Sequence, residues 1–457
     1  MEPVTIPDII ENQKRFFQSG ATKDIRFRQE QLKKLHGIIR REEGFIIDAL
    51  KKDMAKPTLE AYASEIAVTL NEIKYAFKNL ASWSRVRRVM TTLPLLPSGS
   101  FTVPEPLGVV LIVAPWNYPF QLTMVPLAAA MAAGNCALIK PSELAPYTGM
   151  AIEELVARYL DPGYVSVVNG GPDVSKELLA QRFDHIFFTG SARVARIIMQ
   201  AASRYLTPVT LELGGKSPCI VDRDVKIEYA ARRITWAKFF NAGQTCVAPD
   251  YLLVDEHIRD KFVDALKKTI IRFYGTDPKE SPYYARIINR SHFDRLLSYM
   301  DQGNIIIGGQ ALAQDLYIAP TLMDNMAVTS PVMQEEIFGP ILPVITYREF
   351  PDALDFVNSR PKPLALYLFT SDNKKQDRVR EGTSSGGYCI NDALVQLVSP
   401  YLPFGGVGES GMGLYHGKAG FDTFSHMKSI VRNTLHYDIP LRYVPYRFKL
   451  GLVKWLF

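Results

Sequence analysis

Residues 108–139 run for 32 positions without a charged side chain. So apolar a stretch either crosses a bilayer or sits inside a large core. Pro115, Asn117, Pro119, Pro126 and the Gly134-Asn135 turn cut it into pieces too short to span hydrocarbon. The run is therefore expected to hold a strand near 108–116, a helix over 121–133 and a strand over 137–140. The first piece, GVVLIVAPW, is apolar throughout, as a parallel strand buried on both faces should be.

The same alternation continues downstream. Helices are expected over 148–160, 174–181 and 193–206, with strands over 165–168, 185–189 and 209–213 between and after them. Five strands joined by four crossover helices predict an open parallel α/β sheet, which binds ligands beyond the C-terminal ends of its strands. A second α/β unit begins near Gly214, with a strand over 217–221, a helix over 225–240, a strand over 251–254 and a helix over 257–273. Shorter elements continue to about Asn391.

Residues 8–80 read as helices: Leu32, Leu35, Ile38 and Ile39 keep a helical period, with Lys33, Lys34, Arg40 and Arg41 outside it. Residues 84–106 turn to Pro, Thr and Ser and suggest a protruding extended pair suited to subunit contact. Residues 397–417 are rich in Pro and Gly, and residues 441–457 are basic and aromatic.

Composition narrows the function classes. Apolar residues at 47% and charged residues at 22% are ordinary for a globular enzyme. Net charge is +6 with both signs mixed along the chain, which leaves no nucleic-acid footprint. Cys136, Cys219, Cys246 and Cys389 stand far apart, with no Cys-x-x-Cys pair or His/Cys cluster to suggest a metal or a disulfide framework. A reducing, cytoplasmic setting is expected. The first ten residues lack a basic region followed by an apolar one, so no signal peptide is read.

The reactive candidate is Cys246, in FNAGQTCVAPDY. Small, turn-prone residues before it can leave a thiol uncovered at an element boundary, and a site favouring thiolate would make it a nucleophile. For a lone cysteine the alternative is a small buried hydrophobe. Glu212 lies between two leucines at a strand end, where burial should raise its pKa toward the range of a general base; the alternative is a paired structural carboxylate. Asn117 offers an amide to an oxyanion, or serves only a turn.

A dinucleotide site is read from strand ends. Lys140 and Glu143 follow the second strand, where a carboxylate and a lysine can bind ribose hydroxyls; Glu143 would repel a 2′-phosphate, so NAD is favoured over NADP. The alternative is an exposed Lys–Glu pair. Thr189, Gly190 and Ser191 end the fourth strand before a helix, whose N–H groups suit a pyrophosphate, unless Ser191 is only a cap. Residues 406–411 fit G-x-G-x-x-G, yet no strand precedes them and no helix-forming run opens there, so they are read as a tight glycine loop near the second domain. Thiol, amide, carboxylate and dinucleotide together describe one chemistry: a thiohemiacetal, hydride transfer to a nicotinamide, and hydrolysis of the resulting thioester.

The motifs Pro115-Trp-Asn-Tyr-Pro119, Lys140-Pro-Ser-Glu143, Phe188-Thr-Gly-Ser191, Leu211-Glu-Leu-Gly-Gly-Lys216, Gly243-Gln-Thr-Cys246 and Glu336-Ile-Phe-Gly-Pro340 stand in an order that resembles the aldehyde dehydrogenases. Val247-Ala-Pro-Asp-Tyr251 and the glycine loop with Tyr415-His-Gly417 resemble the class 3 branch, which includes fatty and aromatic aldehyde dehydrogenases and bacterial relatives. The resemblance implies a cofactor domain (1–83 and 107–211), a catalytic domain (212–394), a bridging element (84–106 and 395–425), a tail (426–457) and a homodimer. It implies Cys246 as nucleophile, Glu212 as base and Asn117 as oxyanion donor. Trp116, Lys140, Glu143, Thr189, Gly190, Ser191, Glu336 and Phe338 would bind NAD, preferred, or NADP, with Glu336 as an alternative base. Tyr62, Tyr118, Trp236, Phe404 and His416 would line a substrate funnel, or simply pack in the core.

Two departures stand out. Ala192-Arg193 replaces a more usual Thr-Gly and Ala195 a more usual glycine, which is expected to tighten the dinucleotide pocket. The tail is too short to span a membrane, and Phe448, Leu452, Trp455 and Leu456 could share one helical face. That face suits packing on the protein, with a substrate lid or a weak membrane touch as alternatives. The expected reaction is NAD(P)-dependent oxidation of medium-chain, long-chain or aromatic aldehydes to acids. Its rivals are a CoA-acylating aldehyde dehydrogenase and a catalytically silent scaffold on the same fold.

Overall fold

The computed structural model describes residues 5–438, 443–446, 450, 451 and 454. Phe448, Leu452, Trp455 and Leu456, the expected face of the tail, lie outside the described residues.

The charge-free run folds as its composition requires. Strand Val109–Val113 leads to helix Gln121–Ala133 and strand Cys136–Lys140. The helix is buried at every position but Ala129. It continues through Pro126 and stops at Gly134, whose φ of 94° is cheap only for glycine. Leu111, Leu127, Leu138 and Phe187 are fully buried in this layer; each such side chain contributes about 1.5–3 kcal/mol of apolar burial.

Five strands are parallel, as the crossover pattern predicts, and stand in the order Val209–Glu212, His185–Thr189, Val109–Val113, Cys136–Lys140, Val165–Val167. A sixth, Gly411–Met412, joins antiparallel at the edge, with Gly411 opposite Glu212. The glycine loop thus belongs to the first sheet, correcting its expected place near the second domain. Its glycines explain why: a Cβ on Gly411 would lie 2.6 Å from the Leu211 carbonyl, and one on Gly406 2.0 Å from that of Ser410. Only a bare backbone can fold this tightly against the strand end.

The second sheet has seven strands in the order Asn304–Ile307, Thr321–Asp324, Ile341–Tyr347, Tyr251–Asp255, Pro218–Val221, Ala365–Phe369, Gly387–Ile390, parallel except for the first pair. Each sheet has its own core. Tyr415, Phe421 and Phe424 reach back into the first one, where Tyr415 and Phe424 pack on Phe187.

A third, three-stranded sheet pairs Gly99–Pro106 with Arg87–Val89 and with Ser425–Arg432, both antiparallel. The strand Ser425–Arg432 falls almost wholly within the segment expected to be tail. Its side chains are nearly all exposed, so no apolar alternation marks it in the sequence. No described helix is long and apolar enough to cross a membrane.

Candidate active site

Parallel register brings the first sheet's C-terminal ends to one edge. Thr189 is level with Glu212, and Val113 with both Phe188 and Lys140. Beyond that edge lies a cavity lined by Trp116, Asn117, Thr189, Gly190, Ser191, Glu212, Gly214, Cys246, Glu336 and Phe338. Ten residues from five distant stretches of sequence thus meet.

Cys246 arrives from the other domain through a strained turn. Helix Ile227–Phe239 ends, and Asn241, Ala242 and Gly243 take φ of 52°, 51° and 75°. Such left-handed residues are costly outside glycine and cluster where geometry is functional. A Cβ on Gly243 would lie 2.2 Å from the Gly339 carbonyl, so this corner admits no side chain. Gln244 ties the turn down: its amide donates to the carbonyls of Asn241 and Arg286 at 3.1 and 2.9 Å, and its oxygen accepts from the Ile288 N–H at 3.0 Å.

Cys246 also lines a second cavity, with Tyr118, Trp236, Phe404 and His416. Four of the five residues expected in a substrate funnel therefore meet there. Tyr62 does not; it lines a separate surface groove between helices Ile25–Arg41 and Val68–Trp83. The reason is a π-helical turn over Tyr62–Ala67, which faces Ala63 and Ser64 to the cavity and Tyr62 away from it.

The thiol is not poised as thiolate. Burial raises the Cys246 pKa far above its ordinary value, and the charges of Glu336 and Glu212 raise it further. The N–H groups of Cys246 and Val247 oppose this only in part. The expectation of a thiolate-favouring site is corrected accordingly. Glu212 is 1% exposed, neither carboxylate oxygen has a hydrogen-bond partner, and burial raises its pKa well above the ordinary range, as expected for a base. Glu336 is raised to about 8 by burial and by Asp250, while the Gly215 N–H, Lys216 and Arg295 pull it down.

Asn117 donates its side-chain amide to the Gln244 carbonyl at 3.1 Å. Its own carbonyl accepts from the Asn241 amide at 3.0 Å and from Lys56 Nζ at 3.1 Å. Tyr118 Oη lies 2.6 Å from Thr245 Oγ1, beside Cys246. His416, at φ 73°, places Nδ1 3.0 Å from the Glu72 carboxylate.

Lys140 and Glu143 pair with each other at 2.8 Å near the same edge but do not line the cavity. Ala195 is buried in the first core and Arg193 is exposed; neither lines it either, so the methyl expected to tighten the pocket packs elsewhere. Sequence reading missed His292 and Arg295. His292 packs edge-on against Trp116, and Arg295 donates to the carbonyls of Glu336 and Ile337 at 3.2 and 2.8 Å. Neither stands in a motif; only the helix Arg290–Met300, folded under the cavity, makes them neighbours.

Besides the Glu212 carboxylate, three buried polar atoms of residues lining the cavity lack partners: Thr189 Oγ1, His292 Nδ1 and Glu336 Oε1. Unsatisfied buried groups are rare in native proteins and mark where a ligand's polar groups complete the site. Hydroxyls of a nucleotide fit that donor set.

Comparison with known proteins agrees with this arrangement. The aldehyde dehydrogenase family model matches residues 2–430. The 4,4′-diaponeurosporen-aldehyde dehydrogenase of Staphylococcus aureus is 49% identical over 446 residues, covering 97% of each chain. Aldehyde dehydrogenase family 3 member A2 of Rattus norvegicus is 46% identical over 438 residues, covering 95% of this chain and 90% of its own. The substrate-bound structure of Staphylococcus aureus AldH superposes with a TM-score of 0.96 at 48% identity, over 98% of this chain and 99% of that one. Enzymes of this family take NAD(P). The chain belongs to the aldehyde dehydrogenase family, on its class 3 branch.

Proposed function

We propose that Cys246, Asn117 and Glu212 carry the oxidation of medium-chain, long-chain or aromatic aldehydes to carboxylic acids, with NAD preferred over NADP. The observation that carries this reading is that Cys246 lines both cavities, one polar-edged and one walled by Trp236, Phe240, Leu397, Val398 and Phe404. A thiol in a shared wall can hold a substrate carbonyl to face a dinucleotide.

The Cys246 sulfur attacks the carbonyl carbon, and its proton passes to one of the two carboxylates whose charge raises it. The carbonyl π electrons move to oxygen, which the Asn117 amide and the Cys246 N–H hold. Bound NAD supplies the hydride acceptor. Glu212 then takes a proton from water, the hydroxide adds to the thioester carbonyl, and the C–S bond breaks to release the acid. Thr189 and Glu336 would hold ribose hydroxyls through their unpartnered oxygens. Lys140 and Glu143 would serve the adenosine ribose, and the Glu143 charge disfavours a 2′-phosphate.

The free state of Cys136, Cys219, Cys246 and Cys389 suits a reducing cytoplasm. The exposed apolar side chains of Val89, Met427 and Val431 on the three-stranded sheet suit contact with a second copy, as in a homodimer. Sedimentation would measure that state.

The test is a series of aldehydes of rising chain length, with NAD and with NADP, followed by product analysis with and without CoA. Free acid formed without CoA, with highest kcat/KM for apolar aldehydes on NAD, is expected. An acyl-CoA product would replace this reading with the acylating one.

A further inference from the structure

Lys56 and Glu65 are both wholly buried and lie 2.5 Å apart, away from either cavity. Desolvating two ions is costly, and a well-packed apolar pair is often at least as stable, so stability alone explains them poorly. The other side-chain hydrogen bonds of the pair fall on one segment. Lys56 Nζ donates to the Asn117 carbonyl at 3.1 Å and stands 4.2 Å from the centre of the Tyr118 ring. The second Glu65 oxygen accepts from the N–H groups of Phe120 and Gln121 at 3.0 and 2.9 Å. Those donors open helix Gln121–Ala133 and would otherwise lack partners. The π-helical turn Tyr62–Ala67 carries Glu65 inward; such turns are rare and concentrate at functional sites.

The segment they hold carries Asn117 on the polar cavity and Tyr118 on the apolar one. We propose that Lys56 and Glu65 are positioning residues for aldehyde oxidation, fixing residues 117–121 from behind so that the Asn117 amide stays beside the Cys246 sulfur. The proposal rests on the reading of Asn117 as oxyanion donor. Neither residue touches the reacting atoms; both act through Asn117. A displacement of about 1 Å in such a group can cost on the order of 100-fold in rate.

The experiment is a double-mutant cycle. Lys56→Met keeps the stem and removes the charge; it is compared with Asn117→Ala and with both together. Readouts are the single-turnover burst of NADH, the NAD dissociation constant and the melting curve. Lys56→Met is expected to slow the burst about 10–100-fold with NAD affinity changed less than about twofold, and to add less than about twofold on Asn117→Ala. The same loss in both backgrounds, or an unchanged burst in Lys56→Met, overturns the proposal. Should Lys56→Met give no cooperative melt, Glu65→Gln and Lys56→Arg supply the cycle under the same criteria. An unchanged burst in Asn117→Ala would overturn the reading of Asn117 and this proposal with it. A slowed Asn117→Ala with an independent Lys56 effect overturns the positioning role alone.

Discussion

The side-chain amide of Asn117 donates to the main-chain carbonyl of Gln244 at 3.1 Å, across 127 positions of sequence. This bond joins the edge of the first sheet to the turn that presents Cys246 two residues later. The remaining amide hydrogen of Asn117 is what an oxyanion at the sulfur would use. Removing the side chain as Asn117→Ala should lower kcat about 10²–10³-fold with little change in NAD affinity. A fall confined to KM would contradict that role.

The raised pKa of Cys246 gives a pH signature. Burial first, then the charges of Glu336 and Glu212, disfavour the thiolate in the free enzyme. The rate of inactivation by iodoacetamide should therefore climb with pH through the ordinary thiol value of 9.0 without levelling off there. A plateau below pH 8 would mean that the free enzyme stabilises a thiolate.

Glu336 should leave its mark on stability. Folded, it keeps its proton to about pH 8, against an ordinary value of 4.5. Between those values the folded chain binds the extra proton, so stability falls as pH rises through the window and levels off above it. Glu336→Gln lacks that dependence. Its stability by urea unfolding should match wild type near pH 4.5 and exceed it by a growing margin up to about pH 8. A margin independent of pH would contradict this.

Cofactor choice is expected to turn on Glu143. Its carboxylate pairs with Lys140 at the strand end. Glu143→Gln should improve kcat/KM for NADP relative to NAD by about tenfold, the equivalent of about 1.4 kcal/mol of relieved repulsion. An unchanged ratio would remove Glu143 from nucleotide selection.

The parallel sheets were legible because buried strands and helices write themselves as uncharged runs broken by Pro and Gly. The strand His185–Thr189 and the helix Gln121–Ala133 have the expected bounds. Glu212 and Thr189 were legible as cavity candidates because they stand at strand ends, where parallel register gathers them. What escaped depends on contact rather than pattern. Lys56 and Glu65 stand in no motif, and only folding buries them together. Arg295 gains its role only because its helix passes under Glu336. Ser425–Arg432 is solvent-exposed, so hydrophobic alternation could not report it. Tyr62 was misjudged because a single π turn rotates its side chain off the funnel.

The most direct test of the account is peptide mass spectrometry of Glu212→Gln, quenched after mixing with NAD and a long-chain aldehyde. One hydride per subunit should be transferred, and the peptide carrying Cys246 should gain the mass of the acyl group, because thioester hydrolysis lacks its base. In Cys246→Ser neither NADH nor adduct should form, while NAD still binds. Steady turnover of Glu212→Gln without an adduct, or an acyl group on Cys136, Cys219 or Cys389 instead, would contradict the account.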